Sequence, residues 1–204
     1  MEVTVGEGDA SKIFRIHRGV LCFYSGYFEK ALNGSFRESA QGAVTLRTED
    51  PAIFEDIQYW LYNRRFAQDG EVYVDNFDGI VKLWIFGDAH DMPMIQNAAI
   101  DMLHQQVLQK WQVPTIQVKH IYMNTAPGAL LRRYMIDLIV NTGHAQSRLD
   151  EKSKDYYCNE ALVDLLRVVW EDGRKHKFID KAQVTKWDMC QHYVHEEGVR
   201  CANA

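Results

Sequence analysis

This sequence predicts an α+β fold, and three observations predict it. β-type alternation opens the chain at Val3 and Val5 and returns at Ile13 to Ile16. Apolar residues then switch to helical intervals, interrupted by the short β-prone run Val44-Thr45-Leu46. Beyond Trp111 only helical patterns recur. A strand pair, a helix, a further strand and then helices is an α+β plan.

The elements follow in order. Gly6 to Ser11 supplies turn residues between the first two strands, so the chain opens as a hairpin. From Arg18 to Leu32 the residues Leu21, Tyr24, Phe28 and Leu32 repeat at helical spacing and Gly34 sits just past the end, which predicts one amphipathic helix. Asp50 can cap a helix beginning at Pro51, where the missing amide proton costs nothing, with Phe54, Ile57 and Leu61 as its buried stripe. The polar stretch from Asn63 to Asp78 holds one candidate strand, Val72-Tyr73-Val74. Ile80, Leu83, Trp84 and Gly87 restore the helical period until Pro93, which breaks that helix and starts another through Ile95, Ala99, Met102 and Leu103.

Three more helical patterns follow: Val118, Ile121 and Tyr122 after Pro114; Leu131, Tyr134, Met135, Leu138 and Ile139 after Pro127; and Leu162, Leu165, Leu166 and Val169 up to Gly173. Each has an apolar face that must be buried on something, and short connections predict antiparallel packing of helix on helix. Leu131, Tyr134, Leu138, Leu162, Leu165 and Val169 are the expected core. Gly143 to Asp155 reads as a polar loop, and Trp187, Cys190 and Val194 as the lining of a short terminal helix.

Composition narrows the function classes. At 204 residues the chain is one large domain or a small domain with an extension, and it needs no disulfide or metal staple for stability. A formal net charge of -5 excludes a broad nucleic-acid surface, which needs concentrated Lys and Arg. The basic cluster Arg174-Lys175-His176-Lys177 reads as a solvated segment past a helix end. Cys22, Cys158, Cys190 and Cys201 are scattered, and with no signal peptide ahead of Met1 they are expected as reduced thiols in the cytosol or nucleus. Asn33-Gly34-Ser35 then reads as a turn after a helix, not a glycosylation site.

Catalytic chemistry finds no foothold. Gly6-Glu7-Gly8 is too short for a dinucleotide fingerprint, and neither a phosphate-binding GxxxxGK[ST] loop nor a GxSxG nucleophile turn occurs. His17 has no Ser, Cys or Asp partner placed with it in sequence and reads as a structural histidine. Cys190, His192, His195 and Cys201 are metal-capable, but on a helix Cys190 and His192 would point apart and the spacing matches no usual zinc arrangement. No enzyme, cofactor or metal site is expected. Trp60, Trp84 and Trp111 sit at helical spacing and are either core or part of a partner-binding face.

The stretch from Ile13 to Tyr62 also carries a dispersed pattern: Phe14-x-Ile16-His17-Arg18, Val20-Leu21, Ser25, Tyr27-Phe28, Phe36-x-Glu38-Ser39, Leu46, Phe54, Ile57 and Leu61-Tyr62. It resembles the BTB/POZ domain, a protein-interaction module. Phe77, Leu83, Ala89, Asp91, Met92, Ile95 and Leu103 fall where that family places its closing helices. The resemblance implies a small, mostly antiparallel sheet packed on a helical cluster. VKHIYMNTAPGALLRRYMIDL resembles the segment that follows the domain in fungal members, implying an all-helical extension. The expected organisation is an interaction domain over residues 1–110, a helical extension over 111–175 and a tail over 176–204.

The resemblance also implies partners and contact residues. Phe36-Arg37-Glu38 resembles the hydrophobic-x-Glu motif with which ligase-type members touch a cullin scaffold, the aromatic filling a groove and the carboxylate fixing register. Phe36 and Glu38 are therefore the expected cullin contact of a substrate adaptor for a cullin-RING ubiquitin ligase. The alternative is a self-associating scaffold or transcription-associated module, with Val3, Val5, Arg18 and Leu21 at the contact between copies. In transcription-factor members an arginine at the place of Arg18 pairs with an aspartate ahead of the first strand; no such aspartate precedes Val3, so a weak homodimer or a monomer is expected. No nucleic-acid or membrane partner is expected.

Overall fold

In the computed structural model, which describes residues 1–34, 42–68, 71–72, 76–142, 151–171, 178–196 and 201, the opening alternation forms a hairpin. Strand β1 (Glu2–Val5) pairs antiparallel with β2 (Lys12–Arg15), Val3 facing Phe14, and parallel with β3 (Ala43–Leu46), Val3 facing Val44. The order β2-β1-β3 makes β1 the central strand of a small mixed sheet. Side chains two apart share a face, so Val3, Val5, Phe14, Val44 and Leu46 are all buried on one side. Gly6 leaves the sheet with φ +87°, a conformation that favours glycine, while its amide donates to Leu46 O at 2.9 Å.

The helix expected from Arg18 to Leu32 is two helices, α1 (Arg18–Tyr24) and α2 (Gly26–Asn33). The break is Ser25, held at φ -137°, ψ 116°. Its hydroxyl oxygen accepts from Phe28 N at 3.1 Å and its proton goes to the carbonyl of His90 at 2.6 Å. Serine thus caps α2 and ties it to a distant turn, a side-chain alternative to the helical ladder. Leu21, Phe28 and Leu32 are buried as expected, because the apolar spacing survives the kink.

Helix α3 (Pro51–Asn63) is capped by Asp50, which accepts from Ala52 N at 2.9 Å, and it buries Phe54, Ile57, Trp60 and Leu61. The polar stretch after it contains a short antiparallel ladder, β4 (Ala67–Gln68) with β5 (Glu71–Val72); Tyr73 and Val74 of the expected strand lie outside the described residues. Helix α4 (Phe77–Ala89) is buried on nearly every side through Ile80, Val81, Leu83, Trp84 and Phe86. Gly87 lets α4 approach the start of α5 (Pro93–Lys110), since a Cβ there would lie 2.9 Å from Gln96 Cγ. Edge-on contacts of Phe14 with Phe54 and of Phe54 with Phe86 join the sheet to both helices.

The chain divides into two compact units, Met1–Ala98 and Ala99–Ala204. In the second, α6 (Val118–Asn124) and α8 (Asn159–Glu171) both pack on α7 (Leu130–Thr142), as does the turn Met189–His192. Leu131, Tyr134, Met135 and Leu138 are fully buried, and α7 is buried almost all round. One expected stripe is corrected. In α8, Leu165 is buried as expected together with Ala161, but Leu162 is only half-buried and Leu166 and Val169 are 59% and 38% exposed, so the buried line passes through Ala161 and Leu165 and leaves Leu166 and Val169 outside. The single terminal helix is corrected too. The segment forms α9 (Lys181–Val184), opened by a capping box between Asp180 and Gln183, and then the separate turn Met189–His192, with Val194 beyond it. The Asp188 side chain starts the second turn by accepting from Cys190 N, a local bond that competes with continuing the first helix.

Candidate functional site

Two places carry chemistry that packing alone does not require. The first is the surface around α1. Leu21 points inward, yet Phe23 is 77% exposed on the same two turns. Its ring meets Tyr24 edge-on at 4.7 Å, and the guanidinium of Arg64 lies 4.4 Å from the Tyr24 ring and 4.1 Å from the Trp60 ring. Arg64 reaches there because it ends α3 in the left-handed conformation, φ 60°.

The helix beneath Phe23 is braced at both ends. At its start the His17 amide donates to the Tyr62 hydroxyl oxygen at 3.1 Å, and that hydroxyl lies 2.9 Å from His17 Nδ1, so His17 ties the start of α1 to the end of α3. At its end stands the Ser25 joint. Arg18 donates to Leu32 O at 2.5 Å and to Asn33 Oδ1 at 2.7 Å, so it is a strut from α1 to the end of α2. Beside it an open groove of about 490 Å³ is lined by Met1, Glu2, Arg15, Ile16, His17 and Arg18, with Glu2 engaged by Arg15 at 3.2 Å.

The residues expected at partner contacts are placed unevenly. Phe36 and Glu38 lie outside the described residues. Val3, Val5 and Leu21 have no exposed surface, and β1 is paired on both sides, so their side chains are core and not surface that a partner meets directly. Trp60 and Trp84 are core, whereas Trp111 is 43% exposed. Sequence reasoning missed Phe23 and Arg64. The one signal for Phe23 was an aromatic placed off the Leu21-Tyr24-Phe28 line; Arg64 had none, since its position depends on how α3 ends.

The second place is the segment after α9. His192 is completely buried among Tyr134 and Trp187, and neither ring nitrogen has a hydrogen-bond partner among the described residues. Burial pushes its pKa down to about 4, helped by the charge of Arg133 and by His104 and opposed by Asp188. His104 is likewise lowered by burial, and its Nδ1 lies 3.1 Å from the Tyr134 hydroxyl. The other metal-capable side chains go elsewhere. Cys190, His195 and Cys201 bring one donor atom each to within 4.8 Å of one another, the convergence that helical spacing had argued against. The turn Met189–His192 is only one turn long, and His195 just beyond it lies back against Cys190.

Among the described residues no helix is long and apolar enough to cross a membrane. Compared with known families, the sequence matches the model of the BTB/POZ domain over residues 1–107. No curated protein matches the chain.

Proposed function

The chain belongs to the BTB/POZ family, whose domains are protein–protein interaction modules, and from that premise we propose that it acts by binding, with the α1 face as its contact surface. The observation that supports this reading is Phe23, an aromatic ring 77% exposed on a helix braced at both ends. A large apolar side chain on a rigid platform loses little conformational entropy on binding, and Arg64 and Tyr24 beside it are residue types that dominate interface hot spots.

Two partners fit this module. One is a second copy of the chain, associating weakly through the α1 faces, with Leu21 buried under α1, Val3 and Val5 buried in the sheet, and Arg18 bracing α1 against α2. The sequence favours a cullin scaffold, because Phe36-x-Glu38 offers an apolar anchor and a register-setting carboxylate; the helical extension would then hold a substrate for ubiquitin transfer.

Sedimentation velocity across a concentration series, on wild type and Phe23→Asp, tests the first partner. Calorimetric titration of a cullin amino-terminal fragment into wild type and a Phe36→Ala, Glu38→Ala double variant tests the second. The expected results are self-association lost in Phe23→Asp, and cullin affinity reduced by about 2 kcal/mol or more in the double variant. A wild type that stays monomeric at every concentration and binds no cullin fragment would overturn both.

A further inference from the structure

Cys190, His195 and Cys201 stand five and six residues apart, a spacing that no single helix or strand brings to one point. One local and one tertiary anchor hold the first part of the set. The Asp188 side chain accepts from Cys190 N at 3.0 Å and fixes the first residue of the set. Tyr193, midway between the first two, donates its hydroxyl proton to Asp101 of α5 and pins the segment to a helix of the same unit. The chain then turns so that His195 Nε2 lies 3.3 Å from Cys190 Sγ, and Cys201 Sγ closes from the other side at 3.9 Å.

Those separations have a chemical meaning. With metal–sulfur bonds of about 2.3 Å and metal–nitrogen bonds of about 2.0 Å, donors at the corners of a tetrahedral zinc site lie about 3.5–3.8 Å apart. The two distances in this chain, both between nitrogen and sulfur, lie either side of the lower figure, and all three donor atoms lie within 4.8 Å of one another. Two sulfurs and an imidazole are a borderline-soft set that suits Zn²⁺ and not Mg²⁺ or Ca²⁺, which take oxygen ligands. All three residues are half-buried, shielded enough to hold an ion and open enough to admit one.

We propose that Cys190 Sγ, His195 Nε2 and Cys201 Sγ form a Zn²⁺ site, with water in the fourth position. Binding breaks both S–H bonds and forms two Zn–S bonds and one Zn–N bond. Two protons pass to solvent, and the neutral imidazole exchanges its Nε2 proton, which in this structure faces the Cys190 carbonyl at 3.1 Å, for one on Nδ1. His192 takes no part, being turned into the core. The bound ion ties Cys190, His195 and Cys201 together, and Tyr193 anchors the first two to α5.

The test uses the full chain, reduced and free of any histidine tag. Zinc content is measured by mass spectrometry after dialysis against Zn²⁺, and Co²⁺ replaces it for spectroscopy. One equivalent of Zn²⁺ is expected, with a near-ultraviolet thiolate-to-metal band and strong visible bands of tetrahedral Co²⁺. Cys190→Ser, Cys201→Ser and His195→Asn should each weaken binding at least about tenfold, and the double cysteine variant should abolish it with an unchanged circular dichroism spectrum. Cys22→Ser should bind as wild type. Should the double cysteine variant fail to fold, His195→Asn carries the comparison. No uptake by the reduced protein would overturn the proposal, as would uptake unchanged in these variants. So would a Cys190–Cys201 disulfide in the isolated protein without bound metal.

Discussion

The two units solve burial differently. The first builds its core from rings and aliphatic chains: Phe14, Phe28, Phe54, Trp60, Trp84 and Phe86. Its buried polar groups gather mainly at one joint, where Ser25, His90 and Asp91 hold the start of α2. Even there His90 behaves as a ring, stacked 3.9 Å from Phe86 with its pKa lowered by burial. The second unit buries charge and titratable groups at its centre, in Arg132, His104 and His192. An apolar core tolerates small shifts of position, whereas a buried polar group must keep its partners or lose stability. The second unit should therefore be the more sensitive to single polar changes and to pH.

Arg132 offers the sharpest test. It is 4% exposed and donates to Thr125 Oγ1 at 2.8 Å, Glu160 Oε1 at 2.9 Å, Tyr122 O at 2.8 Å and Thr125 O, while its guanidinium covers the Tyr122 ring. Arg132→Ala strands two main-chain carbonyls and is expected to cost about 3–5 kcal/mol in a urea titration. Leu138→Ala, a pure cavity in the same helix, is expected to cost about 2–4 kcal/mol. If Arg132→Ala cost less than about 1 kcal/mol, the polar hub would be a surface decoration and the contrast between the units would collapse.

The next effect is pH dependence. His192 has its folded pKa lowered to about 4, against an ordinary value of 6.5. Between those two values the unfolded chain binds a proton that the folded chain refuses. The contribution of His192 is therefore fully present above pH 6.5 and is lost as pH falls, by up to about 1.4 kcal/mol per pH unit. Asp137, which faces it at 3.8 Å, and Asp56, pushed up to about 6 by burial with Glu55 and Asp50 adding, act in the opposite direction. The difference in stability between wild type and His192→Phe isolates the histidine. That difference should shift in favour of the variant as pH drops from 6.5 toward 4, and a flat difference would mean that the ring is hydrated.

The smallest effect belongs to the first unit. Ser25→Ala removes the cap on Phe28 N and leaves the His90 carbonyl without its donor, an expected loss of about 1–2 kcal/mol. Hydrogen exchange should speed up at the Phe28 amide before it does elsewhere in α2. Unchanged exchange there would show that the break between α1 and α2 does not depend on serine.

Legibility in both units followed what is local along the chain. The strands around Val3, Phe14 and Val44, the capped start at Asp50-Pro51 and the stripe Phe54-Ile57-Leu61 were readable because local spacing and capping chemistry decide them. The line Leu21-Tyr24-Phe28-Leu32 was readable too, but not its interruption, since Ser25 breaks the helix only by reaching the carbonyl of His90, 65 residues away. In α8, counting apolar residues selected Val169, which is exposed, because an amphipathic pattern with several apolar positions leaves its buried register to the neighbouring helices. Of the candidate sites, Arg18 and His17 were visible as residues but not as a strut and a braced turn.

By itself the sequence determined the fold class, the interaction-module family and the absence of the familiar nucleophile and phosphate-binding motifs, since each rests on residue type and near-neighbour spacing. Only the tertiary structure decided which side chains face outward and which donors meet. Phe23 is exposed because α1 ends one turn after Leu21, and Arg64 covers its neighbours because α3 ends in a left-handed residue. Cys190, His195 and Cys201 converge although no periodicity encodes their meeting, with Asp188 and Tyr193 holding the residues around Cys190 in place. Periodicity reports what is local along the chain, whereas a site depends on distances that are set once the chain has closed on itself.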